Sequence, residues 1–345
     1  MKYHNPRKQA DLFSMLEHQQ EVTNIVKGIN KLNEVVDWEY FRDELESLLG
    51  YDKRDLSKGG RPPFDPVLMF KVLVLQRYHG LSDDETEFQI KDRFSFMQFL
   101  GLQAGDNVPD AKTIWDFKQL LEVDGRDGGR KLFEHFGKLL KKQGVIAREG
   151  TIVDASFVDA PRQRNSREEN EMIKQGERPA NFDEHLAKGS QKDTDARWTK
   201  KHNETHFGYK NHAKVDAKTK LVIQYASTPA NLHDSQVFQE LVDEDDEAVF
   251  ADSAYLSEDS REHLLKNDCQ DFITLKATRG HPLSEADKAT NKKRNRIRVR
   301  CEHVFGRMTQ LAMDRLRCIG SIRANQHIAL SNLVYNMDRY VLLCK

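Results

Sequence analysis

Thr151–Pro161 reads TIVDASFVDAP, and the reading of that stretch decides the fold. It is a short apolar, β-branched run, the composition of a strand. Asp154 is set inside it and Asp159 lies near its end. A carboxylate in a buried strand is costly unless something offsets its charge, and a divalent metal is one good answer. Two later stretches carry acids in comparable settings. VFADSAY ends a second short apolar run on Asp252, and RNRIRVRCEHVFGRM places Glu302 on a strongly basic helix. Asp154, Asp252 and Glu302 are therefore the candidate ligands of one metal site. Phosphodiester chemistry needs such a site, because two divalent ions about 3.5–4 Å apart stabilise both the attacking and the leaving oxygen. Hard ions such as Mg²⁺ or Mn²⁺ want carboxylate oxygens of this kind.

Spacing alone carries little weight, because the chain has 55 Asp and Glu residues. Asp252 also suits a helix cap, and Glu302 suits a weak surface pair with Arg298 one turn earlier. Context favours the metal reading. Asp154 and Asp252 interrupt or end apolar strands, and Glu302 adjoins the most basic segment of the chain. On that helix Ile297, Cys301, Val304, Phe305, Met308 and Leu311 form a core face. Arg298, Glu302 and Gly306 fall along its edge, where Gly306 lets a DNA backbone approach and Arg298 can hold a phosphate. Lys293, Arg294, Arg296, Arg300 and Arg307 are further candidates for DNA contact.

The chain holds 345 residues, room for about two domains at roughly 150 residues each. Its net charge is −1, which hides a separation of signs. Asn291–Arg300 carries basic residues and no acid, whereas Asp243–Glu247 is an unbroken acidic run. Such local fields are what a near-zero sum conceals. The four cysteines show no CxxC pair or zinc spacing, and they read as reduced thiols of a cytoplasmic protein. The start lacks the apolar core of a signal peptide, and no run of about 18 apolar residues spans a membrane.

Residues 1–125 read as a helical domain. Asp37 suits a cap, Asp65-Pro66 opens a helix apolar nearly all round, and Ser82 and Glu85 have capping-box spacing. Asp110 or Thr113 opens a further helix, and these short helices suit a helix-turn-helix or a plain bundle equally. Between them Lys53–Pro66 is a basic break that includes Arg61, either a DNA-contacting arm or an ordinary linker. A connecting helix is expected over 126–146, and strands begin after it. From 161 to 203 no core pattern is present, so a flexible polar insertion is expected there. The remainder of 147–345 reads as three strands, helix, strand, helix, strand and long helix. That order gives a meander followed by alternating units with parallel pairing. His233 and Asp234 open one of these helices as caps, or line the site.

The strings GRPPFDPVLMFKVLVLQ, VPDAKTIWDF, TIVDASFVDAP, DARWTKK, HFGYKNHAKVD, NLHDSQVF, ADSAY and RCEHVFGRM resemble those of the DDE transposases of bacterial insertion sequences, the insertion sequence 5 family in particular. The resemblance runs from about Asn33 to the C-terminal helix. It implies an α+β, RNase H-like catalytic domain with a mixed five-stranded sheet flanked by helices, preceded by an all-helical domain that binds DNA ends or dimerises. It further implies Asp154, Asp252 and Glu302 as the catalytic triad. Of the related Tyr-x₂-Arg-x₃-Glu-x₆-Lys signature, Arg298 and Glu302 match, while Asn295 and Thr309 stand where Tyr and Lys belong. The expected partners are the terminal inverted repeats, target DNA and a second copy of the chain. The expected function is metal-dependent cleavage at element ends and strand transfer into target DNA. A nuclease of the same fold and a non-catalytic DNA-binding regulator are the alternatives.

Overall fold

The computed structural model describes residues 13–344, apart from 26, 52–58, 60, 61, 148, 202 and 278–280. Arg61 and most of the basic break therefore lie outside the described residues. The first part of the chain is helical: α1 (Ser14–Thr23), α2 (Leu32–Val35), α3 (Arg42–Leu49), α4 (Pro66–His79), α5 (Asp83–Asp92), α6 (Phe94–Leu100), α7 (Ala111–Glu122) and α8 (Gly128–Lys142). Local chemistry sets their starts. Asp65 accepts from the amides of Val67 and Leu68 with Pro66 in the first turn, Ser82 accepts from Glu85 N, and Asp110 accepts from Thr113 N. Ser82 is thus a plain N-cap. Helix α4 is buried along most of its length, as an all-round apolar helix must be. Phe70 is fully buried on it and meets the rings of Phe41 and Trp38. Burying a side chain of this size contributes about 1.5–3 kcal/mol.

The second part holds the sheet. Its elements are β1 (Thr151–Asp159), α9 (Arg167–Lys174), α10 (Ala180–Glu184), α11 (Leu186–Gly189), β2 (Arg197–Lys201), β3 (Glu204–Asp216), β4 (Val222–Pro229), α12 (Phe238–Leu241), β5 (Ala248–Ala251), α13 (Glu258–Lys266), β6 (Gln270–Asp271), α14 (Glu285–Gln310) and α15 (Ser321–Leu343). The strand order is β2-β3-β1-β5-β6, with β4 also paired to β3. β1 is antiparallel to β3 and parallel to β5, and β5 is parallel to β6. Without β2 this is the five-stranded RNase H-like sheet expected from the sequence.

The sixth strand, β2, comes from the polar stretch read as a structureless insertion. That stretch also forms α9 to α11 and buries Ile173, Phe182 and Ala196. The Ser166–Glu169 capping box opens α9. One or two apolar anchors per helix are too few to make a periodic pattern, which is why the sequence reads as loop. Asp193, at the end of this stretch, accepts from the Tyr209 hydroxyl and from Gly320 N, tying it to β3 and to the start of α15. The helix expected over Asn231–Val242 is two short pieces, a 3₁₀ turn at Asp234–Val237 and then α12.

β3 carries β1 along one edge, and β2 then β4 along the other, with the handover at Gly208. Gly208 has φ +151°, and a Cβ there would stand 2.3 Å from Val158 O. Gly208→Ala is expected to cost about 3 kcal/mol or more, since neither contact nor dihedral can relax without moving β1. Urea unfolding of the variant measures this, and a loss under about 1 kcal/mol would contradict it.

The side chains of β1 point alternately to two cores. Val153 enters a smaller one with Phe238, Val249 and Leu264. Ile152 and Val158 enter the larger one, which also takes residues of α3, α4, α7, α8, α14 and α15. α15 packs against α2, α4, α8, α14 and β4. Asn332 exchanges amide hydrogen bonds with Asn211, and Asn336 does so with the backbone of Val222. Among the described residues no helix is long and apolar enough to cross a membrane.

Candidate active site

Asp154 lies at mid-β1, opposite Ala213 of β3. Its side chain turns to α14, where Arg298 Nη1 donates to Asp154 Oδ2 at 3.1 Å. Its Oδ1 accepts from Ala155 N at 2.9 Å. The carboxylate is only 16% exposed. Burial raises its pKa above the ordinary carboxylate range, and the charge of Asp252 adds to the rise. Arg298 and Lys201 oppose it without cancelling it.

Asp252 follows the last residue of β5, beside β1 in the sheet. It caps the short 3₁₀ turn Ser253–Tyr255: its Oδ1 accepts from Ser253 N at 2.6 Å and faces Thr274 Oγ1 at 3.4 Å. The cap reading and the site reading of Asp252 are thus compatible. Glu302 sits on α14, one turn beyond Arg298, and is exposed. The structure brings Asp154, Asp252 and Arg298 together. Among the described residues it forms no closed group of three or more His, Cys, Asp or Glu able to hold a metal. The cation that meets Asp154 is Arg298, and Arg298 also approaches Asn295 Oδ1 at 3.3 Å.

The donor set fits a hard divalent ion even so. The buried carboxylate of Asp154 is opposed by the charge of Asp252 at the end of the adjacent strand, and carboxylate oxygens are the donors such an ion prefers. Arg298 now supplies the positive charge to one of them.

The other basic candidates divide by helix face. Lys293 and Arg296 are exposed on α14. Arg294 turns inward, donating to the carbonyls of Ile273 and Asp271. Arg300 donates to Ala217 O at 2.7 Å. Arg307 pairs with Asp338 at 2.8 Å and reaches the Tyr78 hydroxyl. The fold thus already employs three of the arginines read as DNA contacts, because a long helix lying on a sheet turns one side to protein. Gly306 is exposed, with open space where a Cβ would stand.

His233, rather than Asp234, caps the 3₁₀ turn, through Nδ1 and Ser235 N. Asp234 pairs with Lys210 at 2.7 Å, both largely buried. Lys201 and Tyr255 are site neighbours that the sequence reading passed over, as was the buried Lys210–Asp234 pair. Lys201 acts electrostatically on Asp154, and Asp154 and Asp252 act on the buried Tyr255. Tyr255 has a buried hydroxyl with no partner and a pKa pushed well above the ordinary value, mainly by burial. The signal for Lys210 was a cation within the strand HFGYKNHAKV, where its neighbours are buried.

Residues 147–337 match the family described as Transposase DDE domain, and residues 17–120 match the one described as Transposase domain (DUF772). No solved structure matches the chain.

Proposed function

We propose that this chain, which belongs to the DDE transposases of insertion sequences, cuts DNA at the ends of its element and joins the freed ends to target DNA. Members of the family act on DNA and use divalent metal ions. The observation that carries the reading is the pairing of Asp154 with Arg298 beside Asp252, at the centre of the sheet. Carboxyl ends of parallel strands are where open α/β sheets gather ligands.

Asp154, Asp252 and Glu302 would hold the metal, two ions of Mg²⁺ or Mn²⁺ in this reading. Bound there, it supplies charge stabilisation to the attacking and leaving oxygens. Arg298 changes partner, from Asp154 to a phosphate of the bound strand. Lys293 and Arg296 hold backbone further along α14, and Lys201 adds positive potential at the sheet edge. Hydrolysis breaks the P–O3′ bond at the element end and leaves a 3′-OH. That hydroxyl attacks a target phosphodiester, one P–O bond forming as one breaks. The helices of residues 1–125 grip the terminal repeats or a second copy, since two ends must be paired.

Strand transfer tests the proposal. A precut element end with a free 3′-OH is mixed with plasmid, protein and Mg²⁺ or Mn²⁺. Joined product is expected from the wild type and none from Asp252→Asn. Cleavage without joining would indicate a nuclease. Metal-independent binding with neither reaction would indicate a DNA-binding regulator.

A further inference from the structure

A second charged cleft lies apart from the carboxylates. It encloses about 390 Å³ between the end of α4, the start of α5, α7 and the loop leading into α15. Neither Asp154, Asp252 nor Glu302 lines it. Arg77, Lys118, Arg315, Arg317 and Arg323 face it, against Asp83 and Asp84. Asp83 is already engaged, with Lys118 Nζ at 2.5 Å and Gln76 Nε2 at 2.7 Å.

Arg77 has no carboxylate in direct contact among the described residues. Its Nε is buried with no partner among them. Its Nη1 lies 2.8 Å from His327 Nδ1. His327 Nε2 lies 2.9 Å from Met313 O, so that nitrogen donates and Nδ1 accepts from Arg77. The imidazole is therefore neutral and offers no counter-charge. Burial pulls the Arg77 pKa down to about 10 and Arg317 adds to the fall, while Cys318 and Asp83, the latter already held by Lys118, oppose it without cancelling it. A desolvated guanidinium of this kind is costly unless an anion completes it. Its forked donors, with four more cations around the cleft, match a tetrahedral phosphate.

We propose that this cleft is a phosphate site that grips one phosphodiester of the bound DNA, away from the bond that is cut. The phosphate chemistry stands on the cleft alone, while DNA as its source rests on the function proposed above. The loop that supplies Arg315 and Arg317 is hydrogen-bonded to the end of β1, through Asp159 N to Asp314 O and Leu316 N to Asp159 O. From Asp154 to Asp159 the strand runs roughly 17 Å. The gripped phosphate therefore belongs to DNA several steps from the reaction, where it fixes the register of the element end.

The test uses the double variant Arg317→Gln/Arg323→Gln in the full chain. Both side chains are exposed, so the fold is expected to stand. In one arm, inorganic phosphate is compared with chloride at equal ionic strength. Phosphate is expected to raise the wild-type melting midpoint, and the variant to lose most of that rise. In the other arm, binding to an element-end duplex is followed against salt, with Asp154→Asn in both proteins to prevent cutting. The slope of log K against log salt is expected to fall by about one in the double variant. A lost phosphate response with an unchanged slope would overturn DNA as the source and leave a free-phosphate site. A phosphate response in a protein that binds no duplex would sink the function above and spare the site. No phosphate response together with an unchanged slope overturns the proposal.

Discussion

Asp154→Asn is expected to abolish cleavage and joining alike, by on the order of 10³-fold or more, and to leave duplex binding in place. An amide at this position keeps the size and the hydrogen bond to Ala155 N but lacks the charge that holds a divalent ion. Stability should move the other way. The folded-state pKa of Asp154 is raised, mainly by burial, so Arg298 does not fully compensate the ionised form. Metal-free stability of the wild type therefore declines as pH climbs from the ordinary carboxylate range through the folded pKa. At neutral pH the Asn variant should be no less stable than the metal-free wild type. Urea midpoints with chelator, alongside the strand-transfer assay, measure both. Cleavage at wild-type rate by the variant would remove Asp154 from the reaction centre.

Mild acid is expected to destabilise the protein sharply, through buried neutral histidines. His212 on β3 is completely buried. Its Nε2 lies 2.9 Å from Thr228 Oγ1, and that hydroxyl faces Pro229 O, so Nε2 is the donor. Nδ1 is buried without a partner, so a proton placed there would find no acceptor. Burial holds the His212 pKa down to about 4, from an ordinary 6.5. The unfolded chain binds that proton as pH falls below about 6.5, while the folded one does not until about 4. Stability is full above the unfolded value and is lost across that window, about 2 kcal/mol by pH 5 and on the order of 3 kcal/mol at its foot. His327, held neutral beside Arg77, adds in the same direction. Urea unfolding at pH 7.5 and 5 should show the loss, reduced in His212→Gln. An equal loss in both proteins would clear His212 of the effect.

Much of this architecture was legible in the sequence because it is locally determined. Asp65, Ser82 and Asp110 cap the helices they precede, through contacts two or three residues away. The parallel and antiparallel pairing followed from the order of apolar runs, and Asp154 and Asp252 stood out because each is a carboxylate placed in or beside a strand. What escaped depends on approach across the fold. Nothing near Arg298 says that it meets Asp154, or near Arg307 that it meets Asp338. The Lys210–Asp234 pair joins residues on β3 and a 3₁₀ turn. Arg77 reads as the polar end of a buried helix, and its want of a carboxylate in direct contact emerges only once α15 and its preceding loop are packed against it. The same limit applies to Phe182, one ring in a polar stretch, buried with the cations of Arg178, Lys188 and Lys192 gathered around it.

The shared core has a consequence for how a mobile element ages. α15 is the last helix of the chain, yet much of its apolar surface is covered by helices from the first half. A copy that lost its opening hundred residues to deletion would keep α8 but lose α2 and α4, and with them part of the covering of α15. Such a shortened chain is expected to open more readily at α15 and to be cut by proteases there rather than persist as a catalytic remnant.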